Sequence, residues 1–205
     1  MMIEYSGFAG LRRCIAADWS PRIGDPNIGA WITVAAYLAC CVLALMVLRR
    51  RPRGAATGLW AVIAPLTGFL AVNKQLDLQS ALTAAGRCMA HMQGWYDYRF
   101  FVQIAFIAIL VMVVVMALMT GLRLLRGQLL SNGLALLGLA ILCGFVLVRA
   151  VGFHHVDRLI SMDFANIRFN FLFENAGLVM IALNAIFLLR RGAAPRRTGF
   201  RPSRP

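Results

Sequence analysis

The charged residues divide the chain into long uncharged runs that are rich in apolar side chains. Four of these runs are about as long as the roughly 20 residues that a helix needs to cross a hydrocarbon core. A fifth run has a similar length and contains a single acid, Glu174. The pattern predicts an all-α integral membrane helical bundle with about five transmembrane helices. The predicted spans are residues 27–48, 56–73, 100–122, 129–150 and 169–189.

A different periodicity marks the segment between the second and third spans. Apolar residues recur there at steps of four and three, which places them on one face of a helix. They are Leu78, Leu82, Ala85, Met89, Met92 and Tyr96. Trp95 and Tyr98 lie close by, and such aromatic residues settle at the headgroup level of a bilayer. We therefore predict an interfacial amphipathic helix over about 76–93 on the outer leaflet, with packing on top of the bundle as the alternative.

Both ends of the chain are predicted to lie outside the bundle of residues 26–191. Residues 1–25 lack the pattern of a secretory signal, because their apolar stretch is short and is followed rather than preceded by Arg12 and Arg13. This extracytoplasmic leader is expected to be polar and irregular, either a surface segment or an upstream extension. Residues 192–205 are basic and poor in apolar side chains, so we predict a disordered cytoplasmic tail.

Composition supports a membrane location. Of the 205 residues, 60% are hydrophobic and 14% are charged, so the chain lacks the charged surface that a soluble domain needs. The net charge of +13 does not indicate nucleic-acid binding, because the arginines flank apolar spans instead of forming a basic face with interleaved aromatics. The predicted partners are the lipid bilayer and other membrane proteins, with no nucleic acid.

The distribution of charge between the loops predicts the orientation. Alternate loops carry arginines and no acids, namely residues 49–53, 123–126 and 190–204. The intervening segments hold all 8 acids together with the remaining bases. Because cytoplasmic loops retain basic residues, we predict a multi-pass membrane protein with its amino terminus outside and its carboxyl terminus inside. The arginines then hold the orientation and contact anionic headgroups; recruitment of a cytoplasmic partner by the tail is the alternative.

The five cysteines do not indicate a metal centre, since they show no CxxC motif and no zinc-type spacing to histidine. Cys40, Cys41 and Cys143 fall within spans and are expected to behave as small apolar residues. Cys14 and Cys88 both fall on the predicted outer side. A disulfide between them is chemically feasible in an oxidising compartment, and the sequence leaves their pairing open.

Polar residues gather at one end of the spans, the end that faces outward in this topology. A compact bundle brings them into one layer just inside the outer interface, which we predict to be a binding layer. The predicted ligand-binding residues are Lys74, Asp77, Gln103, Arg149 and Asn175. Glu174 needs a partner, Arg149 or Lys74, because an unpaired charge within hydrocarbon is costly. A purely structural ion pair between spans is the alternative.

A catalytic hypothesis for the same layer centres on His154, Asp157 and Glu174. His154 and Asp157 share a face if their segment is helical, so they can share a proton or hold a divalent metal, with Glu174 as a third ligand. Neither HExxH nor an equivalent histidine pair is present, so no metal or other cofactor is predicted. No serine has a GxSxG setting. No acid lies deeper in any span, and the inner part of the bundle is expected to be dry.

Small residues are the expected contacts between the helices, because they allow backbones to approach within a membrane. A strict GxxxG motif is absent from the spans. We therefore expect helix association to use other small residues, for example Ala140 with Gly144, or Ala35 with Ala39.

Three segments resemble a block pattern found in small bacterial integral-membrane proteins that have no established activity. They are NKQLDLQ at 73–79, GWYDYR at 94–99 and RAVGFHHVD at 149–157. The resemblance covers residues 25–191 and leaves out both tails. It implies an all-helical membrane fold in a bacterial inner membrane.

These observations favour a non-enzymatic accessory or interaction subunit, whose outer polar layer binds a partner or a lipid headgroup. The alternative is a membrane-embedded enzyme that acts on a lipid or periplasmic substrate. One form of this hypothesis makes the enzyme metal-dependent. A transporter ranks third, because five spans without an internal repeat leave little room for alternating access.

Overall fold

A computed structural model describes residues 8–20, 27–151, 163–164 and 167–192. Only the backbone is described for residues 79, 148–151, 163–164 and 167–170. The helices are α1 (Phe8–Asp18), α2 (Ile28–Arg50), α3 (Thr57–Leu76), α4 (Leu78–Gln93), α5 (Arg99–Leu124), α6 (Leu129–Val151) and α7 (Phe169–Arg190). A 3₁₀ turn, Tyr96–Tyr98, precedes α5. Two short antiparallel strands, β1 (Asp163–Phe164) and β2 (Ile167–Arg168), precede α7.

Five helices are long and apolar enough to cross a membrane. These candidate spans are Ile28–Arg50, Thr57–Leu76, Tyr96–Leu124, Leu129–Leu147 and Phe171–Arg190. Helices suit this role because each pairs its own backbone groups, which lipid does not do. The prediction of an all-α helical bundle is confirmed, and the chain is a multi-pass membrane protein. The interfacial position of α4 relative to a bilayer stays a prediction.

Helix α2 lies between α3 and α7, and α7 packs on its other side against α6. The core between these four helices contains large, fully buried side chains such as Trp60, Leu142 and Ile181. Helix α5 is peripheral, because none of its residues is buried, and it packs on α6, with Gly121 close to the Leu136 side chain. Most of the apolar surface of α5 is therefore left for lipid or for another membrane protein.

Helices α6 and α7 approach each other at a pair of glycines. A Cβ atom added at Gly138 would lie 2.6 Å from the Gly177 carbonyl oxygen, and one added at Gly177 would lie 2.8 Å from the Gly138 carbonyl oxygen. No larger residue allows this backbone contact. The contacts expected from the sequence are wrong: Ala35 and Ala39 are exposed, and a Cβ at Gly144 would meet no described atom within 4 Å.

Helix α1 packs against α4, and the two together are called the α1–α4 layer. A disulfide joins Cys14 to Cys88, which answers the question that the sequence leaves open. An exposed ion pair adds a second link, with Arg87 Nη1 3.2 Å from Asp18 Oδ2. Cys88 is buried in this contact, as is Ala84 one turn earlier.

The expectation of an irregular leader is wrong for residues 8–18, which are helical. Leu11, Cys14 and Ile15 recur at helical spacing and are half-buried, whereas Arg12 and Arg13 are exposed. The amphipathic pattern of this short segment is satisfied by packing on α4. The predicted tail lies outside the described residues beyond Gly192, as does the start of the leader.

Candidate functional site

Polar side chains are buried at both ends of the bundle, and each end is named here after its central residue. The Glu174 end consists of the start of α2, the end of α3 and the start of α7. The Asn132 end is the opposite one, where α3 and α6 begin and α7 ends. Antiparallel neighbours bring these helix termini together, so residues far apart in the sequence share each end.

At the Glu174 end, α2 presents a line of polar side chains to α7. Thr33, Tyr37 and Cys40 are spaced by four and three residues, which puts them on one helical face. Asn175 Nδ2 donates to Thr33 Oγ1 at 3.0 Å, and Tyr37 Oη donates to Glu174 Oε1 at 3.0 Å. The Cys40 thiol donates to a backbone carbonyl of α7 at 3.2 Å. This line of hydrogen bonds fixes the register of α2 against α7.

Helix α3 contributes Lys74 to the same end. Lys74 Nζ lies 2.7 Å from Glu174 Oε2, and the two side chains are 12% and 3% exposed. The sequence predicted Arg149 or Lys74 as the partner of Glu174, and the structure shows the ion pair with Lys74. Since Tyr37 binds the other carboxylate oxygen, Glu174 connects α2, α3 and α7.

The engagement of both Glu174 oxygens limits the chemistry of this residue. A metal ligand or a general base must be reached by the metal ion or the substrate, and the Glu174 side chain is only 3% exposed. In the described arrangement each oxygen of Glu174 already accepts a hydrogen bond from a neighbouring helix. Its evident role is to neutralise Lys74 and to hold the helices together. Removing one partner of a buried pair costs about 3–5 kcal/mol, because the other charge is left uncompensated.

Gln75 follows Lys74 at the end of α3 and has a different environment. Its Nε2 and Oε1 atoms are both buried, and within the described ranges neither has a hydrogen-bond partner. An unsatisfied buried group costs about 1–3 kcal/mol and is rare in folded proteins. Such a carboxamide marks a place where a polar ligand or water can bind. The Glu174 layer, as we name it, comprises Thr33, Tyr37, Lys74, Gln75, Glu174 and Asn175.

The predicted ligand-binding residues fall in different surroundings. Asp77 lies between α3 and α4 in the left-handed region (φ 46°), which aspartate tolerates better than most residues, and accepts a hydrogen bond from Ser80 Oγ at 2.5 Å. Gln103 is exposed on α5. Arg149 lies in α6, with its side chain outside the described part. Of the predicted ligand-binding set, Lys74 and Asn175 belong to the Glu174 layer.

The residues of the catalytic hypothesis are only partly within the described part of the chain. His154 and Asp157 lie outside it, and Glu174 is engaged as described above. Within the described residues, no group of three or more His, Cys, Asp or Glu side chains could hold a metal ion. The predicted roles of His154 and Asp157 stay predictions.

Two members of the layer, Thr33 and Tyr37, were not predicted as site residues. Both sit in an apolar run, where the sequence reads as a plain membrane span. The available signal is the helical spacing of Thr33, Tyr37 and Cys40, together with the tendency of a buried tyrosine hydroxyl to find a hydrogen-bond partner.

The Asn132 end carries a second buried polar cluster, which was not predicted from the sequence. Asn132 is fully buried, and its Oδ1 accepts hydrogen bonds from the Ala56 amide and from Trp60 Nε1, both at 3.1 Å. Its Nδ2 donates to the carbonyl oxygens of Gly54 at 2.7 Å and Gln128 at 3.2 Å. One side chain thus ties the turn before α3 to the start of α6.

Asn184 of α7 makes a matching contact with α6. Its Oδ1 accepts from the Ala135 amide at 3.3 Å, and its Nδ2 donates to the Ser131 carbonyl at 2.8 Å. These two backbone groups are four residues apart, so they are the donor and acceptor of one helical turn. Arg191 donates to Ser131 Oγ at 3.2 Å. Both polar side-chain atoms of each asparagine are hydrogen-bonded within the protein. The role of this end is therefore to hold the helices together.

The chain matches no protein-family model, and comparison with curated proteins and with solved structures gives no significant match.

Proposed function

We propose that the chain is a protein of a bacterial inner membrane, with its amino terminus outside and its carboxyl terminus in the cytoplasm. Two observations support this orientation. The loops at the Asn132 end carry arginines and no acids, as cytoplasmic loops do. The Cys14–Cys88 disulfide belongs to the α1–α4 layer at the other side, and disulfides persist in oxidising compartments.

We further propose that the protein is a non-enzymatic accessory subunit, whose Glu174 layer binds the headgroup of an outer-leaflet phospholipid. The observation that carries this proposal is the buried carboxamide of Gln75, which has no partner within the described residues. Lys74 and Glu174 satisfy each other, so the layer as described offers no net charge for a ligand. The group that Gln75 needs is one with both a donor and an acceptor.

Phospholipid headgroups differ in this property. Phosphatidylethanolamine and phosphatidylglycerol each present a donor beside their phosphate oxygens, whereas phosphatidylcholine has no N–H or O–H group. A carboxamide donates through nitrogen and accepts through oxygen, so it can bind the first two headgroups at two points. We therefore expect the layer to select lipids that carry a headgroup donor.

Native mass spectrometry of the purified full chain, titrated with each lipid in turn, tests this selection. The wild-type protein should bind phosphatidylethanolamine about tenfold more tightly than phosphatidylcholine, the factor that one hydrogen bond of about 1.4 kcal/mol supplies. Gln75→Leu should abolish the preference. The protein should still fold, because replacing an unsatisfied buried amide by an apolar side chain is neutral or stabilising.

The matched control is Gln93→Leu, which changes an exposed glutamine at the end of α4. It should keep the wild-type preference. Equal affinity of the wild-type protein for phosphatidylethanolamine and phosphatidylcholine would overturn the proposal. A preference that survives in Gln75→Leu would do the same, because the carboxamide would then not be the binding group.

The enzyme alternative stays a prediction, and it has less support. It requires Glu174 to act together with His154 and Asp157, yet both Glu174 oxygens are bound by Tyr37 and Lys74. A hydrolytic or transfer activity lost in His154→Ala but kept in Gln75→Leu would favour the enzyme over the accessory subunit.

A further inference from the structure

We propose that the α1–α4 layer is a docking surface for anionic phospholipid, held in its binding form by the Cys14–Cys88 disulfide. This surface is distinct from the Glu174 layer, and its assignment to the outer leaflet rests on the orientation proposed above. The occupant is the lipid surface itself. Three properties of the layer carry the inference: an exposed apolar face, arginines without an acidic partner among the described residues, and attachment at the level where two spans end.

Helix α4 keeps an apolar face that α1 does not cover. Leu82 and Met89 are seven residues apart, so they share one side, and they are 61% and 41% exposed; Met92, one turn after Cys88, lies at the edge of that side and is 37% exposed. Ala84 and Cys88 are buried on another side, the one that carries the disulfide to α1. The apolar face is therefore free while the neighbouring face is covered by α1.

The position of α4 is set by the spans on either side of it. Asp77 alone separates α4 from α3, and the short stretch through Gly94 and the 3₁₀ turn joins it to α5. Both ends of α4 are thus held where a span ends, the depth of the headgroup region. Tyr96 and Tyr98 lie at the same level, and aromatic residues favour that region.

The charge of the layer selects the lipid. Arg87 is occupied by Asp18, whereas Arg12 and Arg13 are exposed and have no acidic partner within the described ranges. A surface that combines basic residues with an exposed apolar helical face binds anionic bilayers. An acidic protein would match the arginines but not an apolar face that is continuous with membrane spans.

The disulfide is the only covalent link between α1 and α4 among the described residues. The Arg87–Asp18 pair is exposed on both sides, and such pairs contribute little. Without the covalent link, α1 is held by the half-buried side chains of a short helix, and its arginines are no longer kept beside α4. Lipid docking of Arg12 and Arg13 should therefore depend on Cys14 and Cys88.

The test measures trypsin cleavage after Arg12 and Arg13 in vesicles that contain the full chain. Released peptides are identified by mass, in vesicles of phosphatidylcholine alone and in vesicles that also contain phosphatidylglycerol. Phosphatidylglycerol should slow cleavage about tenfold or more, since each arginine beside an anionic surface contributes roughly a fivefold preference. High salt should remove most of this protection, because it screens exposed charges.

The double variant Cys14→Ser with Cys88→Ser should be cleaved at the same rate in both lipids. Cys41→Ser with Cys143→Ser is the matched control, because both thiols are half-buried in α2 and α6, outside the α1–α4 layer, and it should keep the protection. Wild-type cleavage that ignores phosphatidylglycerol would overturn the proposal. So would protection that follows the protein-to-lipid ratio, which would assign the face to a second copy of the chain.

Reconstituted vesicles hold both orientations, and trypsin added outside reaches only one of them. The lipid dependence is therefore measured whichever way the protein lies in a cell. An error in the proposed orientation would appear in a topology measurement and would leave this comparison unchanged. A failure of the Gln75 proposal would likewise not alter it.

Discussion

Glu174 Oε2 and Lys74 Nζ lie 2.7 Å apart, although 100 positions separate the two residues in the sequence. The pair joins α3 to α7, and the Tyr37 hydroxyl on the other carboxylate oxygen adds α2. Charges in hydrocarbon are costly unless they are paired. The ion pair is therefore what allows two ionisable residues to lie inside the Glu174 end.

Lys74→Met should destabilise the bundle by about 3–5 kcal/mol, because it leaves the buried Glu174 without a counter-charge. The double variant Lys74→Met with Glu174→Leu should recover most of this loss, since an apolar pair of similar volume often replaces a buried ion pair without penalty. Denaturant-induced unfolding of the purified protein in detergent measures both. A Lys74→Met protein as stable as the wild type would show that Glu174 is not charged there.

The matched control for this prediction is Arg87→Gln, which removes the exposed ion pair with Asp18. Exposed pairs contribute about 0–1 kcal/mol, so this change should be close to neutral. If Arg87→Gln were as damaging as Lys74→Met, the loss would reflect the sensitivity of the fold to any charge removal.

Gly138→Ala should destabilise the contact between α6 and α7 by about 1–3 kcal/mol, because the new Cβ would meet the Gly177 carbonyl and force the helices apart. Gly144→Ala is the control in the same helix, where a Cβ meets no described atom within 4 Å. It should be neutral or stabilising, since alanine favours a helix over glycine. The same unfolding measurement applies, and equal effects at the two positions would contradict the described packing.

Asn132→Leu should cost about 2 kcal/mol or more, because it leaves Trp60 Nε1 and the Ala56 amide without their acceptor in a buried site. Gln103→Leu, which replaces an exposed amide on α5, provides the comparison and should be near neutral. The Trp60 fluorescence spectrum should shift only in Asn132→Leu. A stable Asn132→Leu protein with an unchanged spectrum would be incompatible with the hydrogen bonds described at this end.

The spans could be predicted from the sequence because lipid imposes one rule on every crossing segment: length, apolarity and a self-satisfied backbone. The same rule does not indicate which polar residues within a span form hydrogen bonds with other helices. Tyr37 and Asn132 each stand in an apolar run, and only their partners on other helices give them a role. Those partners depend on which helix faces which, and that order is not contained in any single segment.

The contacts between helices could not be predicted from sequence patterns within one helix either. Gly138 and Gly177 lie in different helices, so neither belongs to a motif within one span. For Glu174 the sequence could narrow the partner to two basic residues, because a charge in a span must be neutralised. Glu174 pairs with Lys74 because α3 ends beside the start of α7.

The orientation of the Glu174 end assigns both the proposed headgroup site and the proposed lipid surface to the outer leaflet. Single cysteines at Ser80→Cys and Thr198→Cys, in a chain with Cys40, Cys41 and Cys143 replaced by alanine, test it with a membrane-impermeant thiol reagent. Ser80→Cys should be labelled in spheroplasts with an intact inner membrane. Thr198→Cys should be labelled only after that membrane is permeabilised. Labelling of both positions from the same side, or the reverse order, would contradict the account.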